Sequence, residues 1–205
     1  DLCKSIPELS DCDSIVITGG GASLLHSYAT VFKLLNKNPK MALFEINGYF
    51  SHIDVSMLDG LRNVHVVFSQ DFGTEDPTHE LDNRIVNALT GVNTWLVTWG
   101  SRVKRKRADE LGIAHRTIFA KVSEARTSDE WRLVERESGT AMRRGGTLAV
   151  VLSAMPPHIK TIYAAGLDAI FTGDDSHVTG KKNSYAKLVS IIKPICDQMK
   201  IRPIY

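Results

Sequence analysis

The chain has 205 residues, of which 43% are hydrophobic and 23% charged, with a formal net charge of +2 and a mean hydropathy of -0.10. That balance excludes a disordered or fibrous protein, and so small a charge gives no electrostatic footprint for nucleic acid. No apolar run approaches the ~20 residues of a membrane span, and the length suits one domain, 1–205, around one core.

Short β-rich apolar runs alternate with helical patterns, which predicts βα units feeding a parallel sheet. In chain order the predicted strands are residues 14–18, 41–46, 63–68, 94–99, 116–121, 161–165 and 201–205. Residues 23–35, 80–89, 102–111, 129–137, 147–155 and 184–199 carry apolar residues at helical spacing. The expected fold is α/β and Rossmann-like, a mostly parallel sheet of about seven strands with helices on both faces. Pro156-Pro157 marks a helix stop before the strand at 161.

Cys3, Cys12 and Cys196 are odd in number and lack metal-ligand spacing, so neither a disulfide framework nor a zinc site is expected. A cytoplasmic protein is the default reading, and no signal peptide opens the chain. A start at Asp1 reads as a piece cut from a longer protein, which leaves room for a membrane-attachment segment. Arg102, Lys104, Arg105, Lys106 and Arg107 form the strongest charge run. It reads first as a solvated helix turn and second as a peripheral contact for anionic lipid or a sugar nucleotide. Without interleaved aromatic residues it gives little support to nucleic-acid binding.

The first constellation with chemical content is Ile15-Val16-Ile17-Thr18-Gly19-Gly20-Gly21-Ala22-Ser23-Leu24, a buried strand running into three glycines and a helix. Glycines admit positive φ and close approach of a ligand, and a helix N-terminus offers amides to a phosphate. Gly19, Gly20, Gly21 and Ser23 are therefore candidate nucleotide-binding residues, with a tight turn capped by Ser23 as the alternative. In Phe44-Glu45-Ile46-Asn47-Gly48, Asn47 stands at the expected carboxyl edge of the sheet, where it suits a base or ribose. It equally suits a turn that needs αL backbone. Arg143-Arg144-Gly145-Gly146-Thr147 joins two guanidinium groups to a glycine-led helix start. Gly145, Gly146 and Thr147 become nucleotide candidates, and Arg143 and Arg144 phosphate or carboxylate contacts. Asp168, just past a strand, orients a site group or caps a turn. In Asp174-Asp175-Ser176-His177-Val178-Thr179-Gly180, His177 is the candidate general base. His26, His52, His65, His79, His115 and His158 are read as ordinary solvated histidines.

The order of these motifs resembles the bacterial sialyltransferases of glycosyltransferase family 42 and related uncharacterised domains of the same fold. That family's Gly-Asn-Gly-Pro-Ser-Leu loop is similar to Gly19-Gly20-Gly21-Ala22-Ser23-Leu24, with Gly20 where the family has asparagine. Its strand ending in a nucleotide-binding asparagine resembles Glu45-Ile46-Asn47-Gly48. Its Ser-Gly helix start and Ile-Tyr-Leu-Ser-Gly-Ile-Asp strand look like Gly145-Gly146 and Ile162-Tyr163-Ala164-Ala165-Gly166-Leu167-Asp168. Its Asn-Ser-His-Tyr-Ile-Gly, whose histidine is the catalytic base, resembles Asp175-Ser176-His177-Val178-Thr179-Gly180. The family's lid tyrosines have no counterpart here, and Ile170 stands where the first belongs.

The resemblance implies a glycosyltransferase that moves a sugar, such as a CMP-linked acidic sugar, from a nucleotide donor to a glycan or other hydroxyl acceptor. It implies no separate cofactor and no metal, although Asp174-Asp175 have the hard oxygens that magnesium prefers. Two rivals are a nucleotide pyrophosphokinase on the same fold, which would need a divalent metal, and a non-catalytic nucleotide-binding module.

Overall fold

The structure, a computed structural model, describes residues 2–53, 55–74, 78–100, 102–123, 141–142, 146–180 and 186–205. All five residues of Ser14–Thr18 are buried, as are all six of Met41–Ile46. Apolar residues on both sides of a strand demand cover on both faces, which is the environment of a parallel sheet between helices. Seven strands meet that demand: β1 Ser14–Thr18, β2 Met41–Ile46, β3 His65–Phe68, β4 Thr94–Thr98, β5 Thr117–Phe119, β6 Thr161–Ala165 and β7 Arg202–Ile204. Every pair is parallel, in the order β5-β4-β3-β2-β1-β6-β7.

Helices α1 Leu24–Lys37, α2 Glu80–Ala88 and α3 Arg102–Glu110 cover one face. The other is covered by α4 Gly146–Ser153, α5 Ala186–Gln198 and the short turns Leu2–Ser5 and Pro7–Asp11. The Rossmann-like α/β architecture is thus present. A separate two-stranded ladder joins Val122–Ser123 to Ala141–Met142. The helix expected at 129–137 lies outside the described residues. Among the described residues, no helix is long and apolar enough to cross a membrane.

The strand order makes the site. From β1 the chain builds outward to β5, then crosses back to lay β6 against the other side of β1. Loops leaving the carboxyl ends of β1 and β6 diverge there, and this is where open α/β sheets form their ligand crevice. The sheet ends in β7, where an edge strand can take Pro203 because one side of its backbone pairs with no neighbour.

Several boundaries differ for local reasons. β3 starts at His65 rather than 63, because the Asn63 side chain leaves the strand pattern and donates to the carbonyls of Leu35, Asn38 and Met41 at 3.2, 2.9 and 2.7 Å. That amide stitches the end of α1 to the start of β2. His65 is a correction: it is 1% exposed, not solvated, and its Nε2 lies 2.5 Å from Oε2 of the fully buried Glu45. Glu45 also accepts the Ser51 amide at 2.8 Å, anchoring the one-turn helix Tyr49–Ile53 to β2. His158 is also engaged, its Nε2 donating to the carbonyls of Leu9 and Cys12 at 3.2 and 3.1 Å.

The basic run is a solvated turn only in part: Arg102, Arg105 and Lys106 are exposed, while Lys104 and Arg107 turn inward. Lys104 is buried and donates to the Gln70 carbonyl, and Arg107 donates to Asp82 Oδ2 at 2.8 Å. Arg105 stacks 4.1 Å over the Phe119 ring, and Lys106 pairs with Glu110 at 3.6 Å. Helical spacing turns residues 104, 107 and 108 onto the sheet side, so the run braces the fold more than it advertises charge.

Burial pushes the Cys12 thiol up to about 11 and the Cys196 thiol up to about 12. Since the thiolate is the nucleophile, both should resist a thiol reagent at pH 8 until the chain unfolds. Ellman titration in buffer and in denaturant checks this, with all three cysteines reactive only in the second.

Candidate functional site

The three glycines lie where the β1 loop passes against the β6 loop. Gly19 donates to the Ala165 carbonyl at 2.9 Å and Gly21 to the Gly166 carbonyl at 2.7 Å. A Cβ on Gly19 would meet Gly166 O at 2.5 Å, and one on Gly21 would meet Asp168 Oδ2 at 2.6 Å. None of Gly19, Gly20 and Gly21 has positive φ, whereas Gly166 does at +65°. The glycines therefore serve close approach, as expected, but the approaching groups are the protein's own.

The N-terminus of α1 corrects a second expectation. The Ser23 amide donates to Asp168 Oδ2 at 2.8 Å and the Ser23 hydroxyl to Asp168 Oδ1. Ala22 donates to the Ser176 carbonyl at 3.1 Å, and Leu24 and Leu25 to the carbonyls of Gly21 and Ala22 at 3.0 and 3.1 Å. The buried Asp168 carboxylate thus meets the positive end of α1 in the position a phosphate was expected to take. Ser23 is consumed by that contact and does not cap its own helix. Of this loop, the Gly20 amide is left without a partner among the described residues.

Gly20 borders a cavity of about 210 Å³ at the carboxyl edge of the sheet, together with Gly19, Gly21, Asn47, Tyr49, Asp71, Asp168 and His177. Ile46, Leu148, Ile170 and Ile192 supply its apolar wall. Asn47 and Gly48 take φ of 54° and 70°, a consecutive αL pair that Asn-Gly tolerates. The turn is fixed by Asn47 N–H donating to Phe68 O at 2.9 Å and by Arg84 Nε donating to Asn47 O at 2.8 Å. Its side-chain Oδ1 is buried without a hydrogen-bond partner among the described residues.

Arg84 lies 4.5 Å over the Tyr49 ring, and Tyr49 meets the His177 ring edge-on, 4.6 Å between centroids at 82°. His177 Nε2 points at Gly20, where a Cβ would stand only 2.2 Å away. The tautomer follows from the other nitrogen. The Thr179 backbone amide donates to His177 Nδ1 at 3.1 Å, and a backbone N–H can only donate. Nδ1 is therefore the acceptor, and in the neutral ring Nε2 carries the proton. With this hydrogen-bond set His177 offers the cavity side a donor, not the lone pair that a general base at Nε2 requires.

The remaining candidates are dispersed. Arg143, Arg144 and Gly145 lie outside the described residues. Gly146 and Thr147 open α4, but the residue of that helix start that lines the cavity is Leu148. Asp174 accepts the Ser176 hydroxyl and amide at 2.6 and 2.9 Å, which hold its carboxyl below the usual range. Among the described residues no three His, Cys, Asp or Glu side chains converge as a metal site. Two polar cavity residues escaped the sequence reading, Tyr49 and Asp71. Asp71 lies in the loop that leaves the carboxyl end of β3, a few residues beyond Phe68, so the carboxyl-edge rule applied to every strand's following loop takes it in.

The glycine positions should separate by what their Cβ meets. Gly19→Ala forces a side chain on a backbone oxygen and should destabilise the fold by about 1–3 kcal/mol. Gly20→Ala meets the His177 and Tyr49 rings, at 2.2 and 2.9 Å, so the fold should persist with His177 displaced. Denaturant melts together with the His177 ring resonances check both.

No family model, curated protein or solved structure matches this chain.

Proposed function

We propose that this chain binds the nucleotide part of an activated sugar in the cavity at the β1/β6 divergence and transfers the sugar to an acceptor hydroxyl. The observation that carries this reading is Asn47 Oδ1, a buried acceptor with no partner among the described residues, held by a turn fixed at both backbone ends. An acceptor left unpaired out of water costs about 1–3 kcal/mol, a cost removed by a ligand donor such as a cytosine amino group or a ribose hydroxyl.

The phosphate would then lie toward Gly20 and His177. Among the described residues the Gly20 amide and the His177 imidazole N–H are donors on that side, and such donors suit a phosphate. A CMP-linked sugar is the donor that the motif resemblance implies. The apolar wall from Ile46, Leu148, Ile170 and Ile192 leaves one side of the ligand dry, which strengthens each polar contact on the other. At about 210 Å³ the cavity has room for part of such a donor, so the sugar would extend toward the open side.

A thermal-shift comparison of CMP, ATP and NAD tests the nucleotide reading. At a hundred times its dissociation constant a ligand adds about 2.7 kcal/mol of stability. CMP should raise the melting temperature most, and Asn47→Ala should remove most of that shift while the ligand-free melt stays close to that of the parent. An equal response to all three nucleotides, or a preference for ATP, would count against the proposal.

A further inference from the structure

We infer that Asp71 is the proton acceptor of this site, its carboxylate taking the hydroxyl proton of the acceptor while His177 serves as a hydrogen-bond donor. The inference rests on the transfer reading above. Asp71 borders the same cavity as Asn47 and His177. Its carboxylate accepts no hydrogen bond and makes no ion pair within 4 Å among the described residues, whereas the loop beneath it is held on every side.

The bracing of that loop is unusually dense for five residues. Ser69 donates through its amide to Val97 O at 3.0 Å, and its hydroxyl accepts the Phe72 amide at 3.1 Å. Phe72 is fully buried in the core beneath α2 and α3. Gly73, at φ +67°, donates to Asp82 Oδ1 at 2.9 Å, and Asp82 is itself held by Arg107. Lys104 reaches from α3 to donate to the Gln70 carbonyl. Burial lowers the Lys104 amine, and the nearby Asp71 and Asp82 act in the opposite sense. Two buried charged side chains thus fix the backbone on both sides of Asp71 and leave its own carboxylate exposed at the cavity. Fixing the backbone while leaving the side chain unspent is what presenting a reactive group requires.

His177 supplies the second half of the argument. Its Nδ1 receives the Thr179 amide, so its Nε2 bears the proton and is not placed to remove another. A carboxylate is ionised at neutral pH and can accept one. In the transfer the acceptor oxygen bonds to the anomeric carbon as the bond from that carbon to the phosphate oxygen breaks. The electron pair of the broken bond leaves on the phosphate, toward the His177 Nε2–H and the Gly20 amide. The hydroxyl proton passes to Asp71, and no other reactant is needed.

The test uses the purified chain with CMP for binding and a CMP-linked sugar plus a free sugar acceptor for turnover. Asp71→Asn should leave CMP affinity within about twofold while CMP release falls roughly 10²–10⁴-fold. His177→Gln keeps an N–H donor and should retain more turnover than His177→Ala, whereas a histidine acting as base would not be rescued by glutamine. Undiminished turnover in Asp71→Asn, or a matching loss of CMP affinity, would overturn the assignment and leave the transfer reading standing. A parent chain that neither binds CMP nor releases it from the donor would overturn both.

Discussion

The Asp168 carboxylate against the first turn of α1 is the contact on which the rest of the site depends. It joins the loop after β6 to the helix after β1, two segments 145 residues apart in sequence, through the Ser23 amide and hydroxyl. Adjacent parallel strands deliver their loops to the same edge, but nothing in strand pairing fixes how those loops meet. A charge on a helix dipole, with two hydrogen bonds, does so. Once that contact is made, Gly19 and Gly21 must run within backbone distance of Gly166, and any side chain there would be excluded. The glycine loop is a consequence of the carboxylate as much as of any ligand.

The loops at this edge share a division of labour between charge and cavity. Buried or half-buried charged groups are spent on backbone: Lys104 on Gln70, Asp82 on Gly73, Glu45 on Ser51, Arg84 on Asn47. Each would be costly alone in a low-dielectric interior, and each has a hydrogen-bonded partner that offsets the cost. The result is that the loops after β2 and β3 are fixed by groups outside the cavity lining, while Asp168, which does line it, ties the loops after β1 and β6 together. Asn47, Gly20 and Asp71, which do line it, keep hydrogen-bonding capacity in the Asn47 Oδ1, the Gly20 amide and the Asp71 carboxylate among the described residues. Fixed backbone and unspent side chains are the conditions under which polar groups gain most from a ligand, because little reorganisation remains when it binds.

The fold was legible in the sequence because its signal is carried by runs. Ser14–Thr18, Met41–Ile46 and Thr161–Ala165 were bounded correctly from burial-type composition and flanking turn residues alone. The site was half legible. Asn47 and His177 were found, since a turn asparagine after a strand and a histidine in a polar loop are local features, and both border the cavity. What failed to read were the long-range partnerships. Ser23 looks like a helix cap until Asp168 arrives from the other side of the sheet, and His65 looks like a surface residue until Glu45 is seen on the neighbouring strand. Within the basic run Lys104 and Arg107 are misread for the same cause, since nothing in the run says that Gln70 and Asp82 lie beneath them. Pairings of that kind depend on register and loop path, which composition does not encode.

The role of His177 turns on one such pairing, and on an atom with no freedom of choice. A hydroxyl can donate or accept, so the Thr179 side chain, 2.7 Å from Nδ1, leaves the ring's proton undecided. The Thr179 amide, two residues along the same turn, can only donate, and it decides. Gly180, at φ +75°, donates its amide to the His177 carbonyl at 2.9 Å, which closes the turn in the shape that brings the Thr179 amide onto the ring. On the other side Gly20 leaves room for Nε2, and its carbonyl accepts the Val178 amide at 2.9 Å. A local backbone turn therefore sets the proton position of the ring, and the ring's place beside Gly20 sets where that proton points. Sequence position alone gives a histidine at the edge of a cavity; the direction of one amide makes it a donor there.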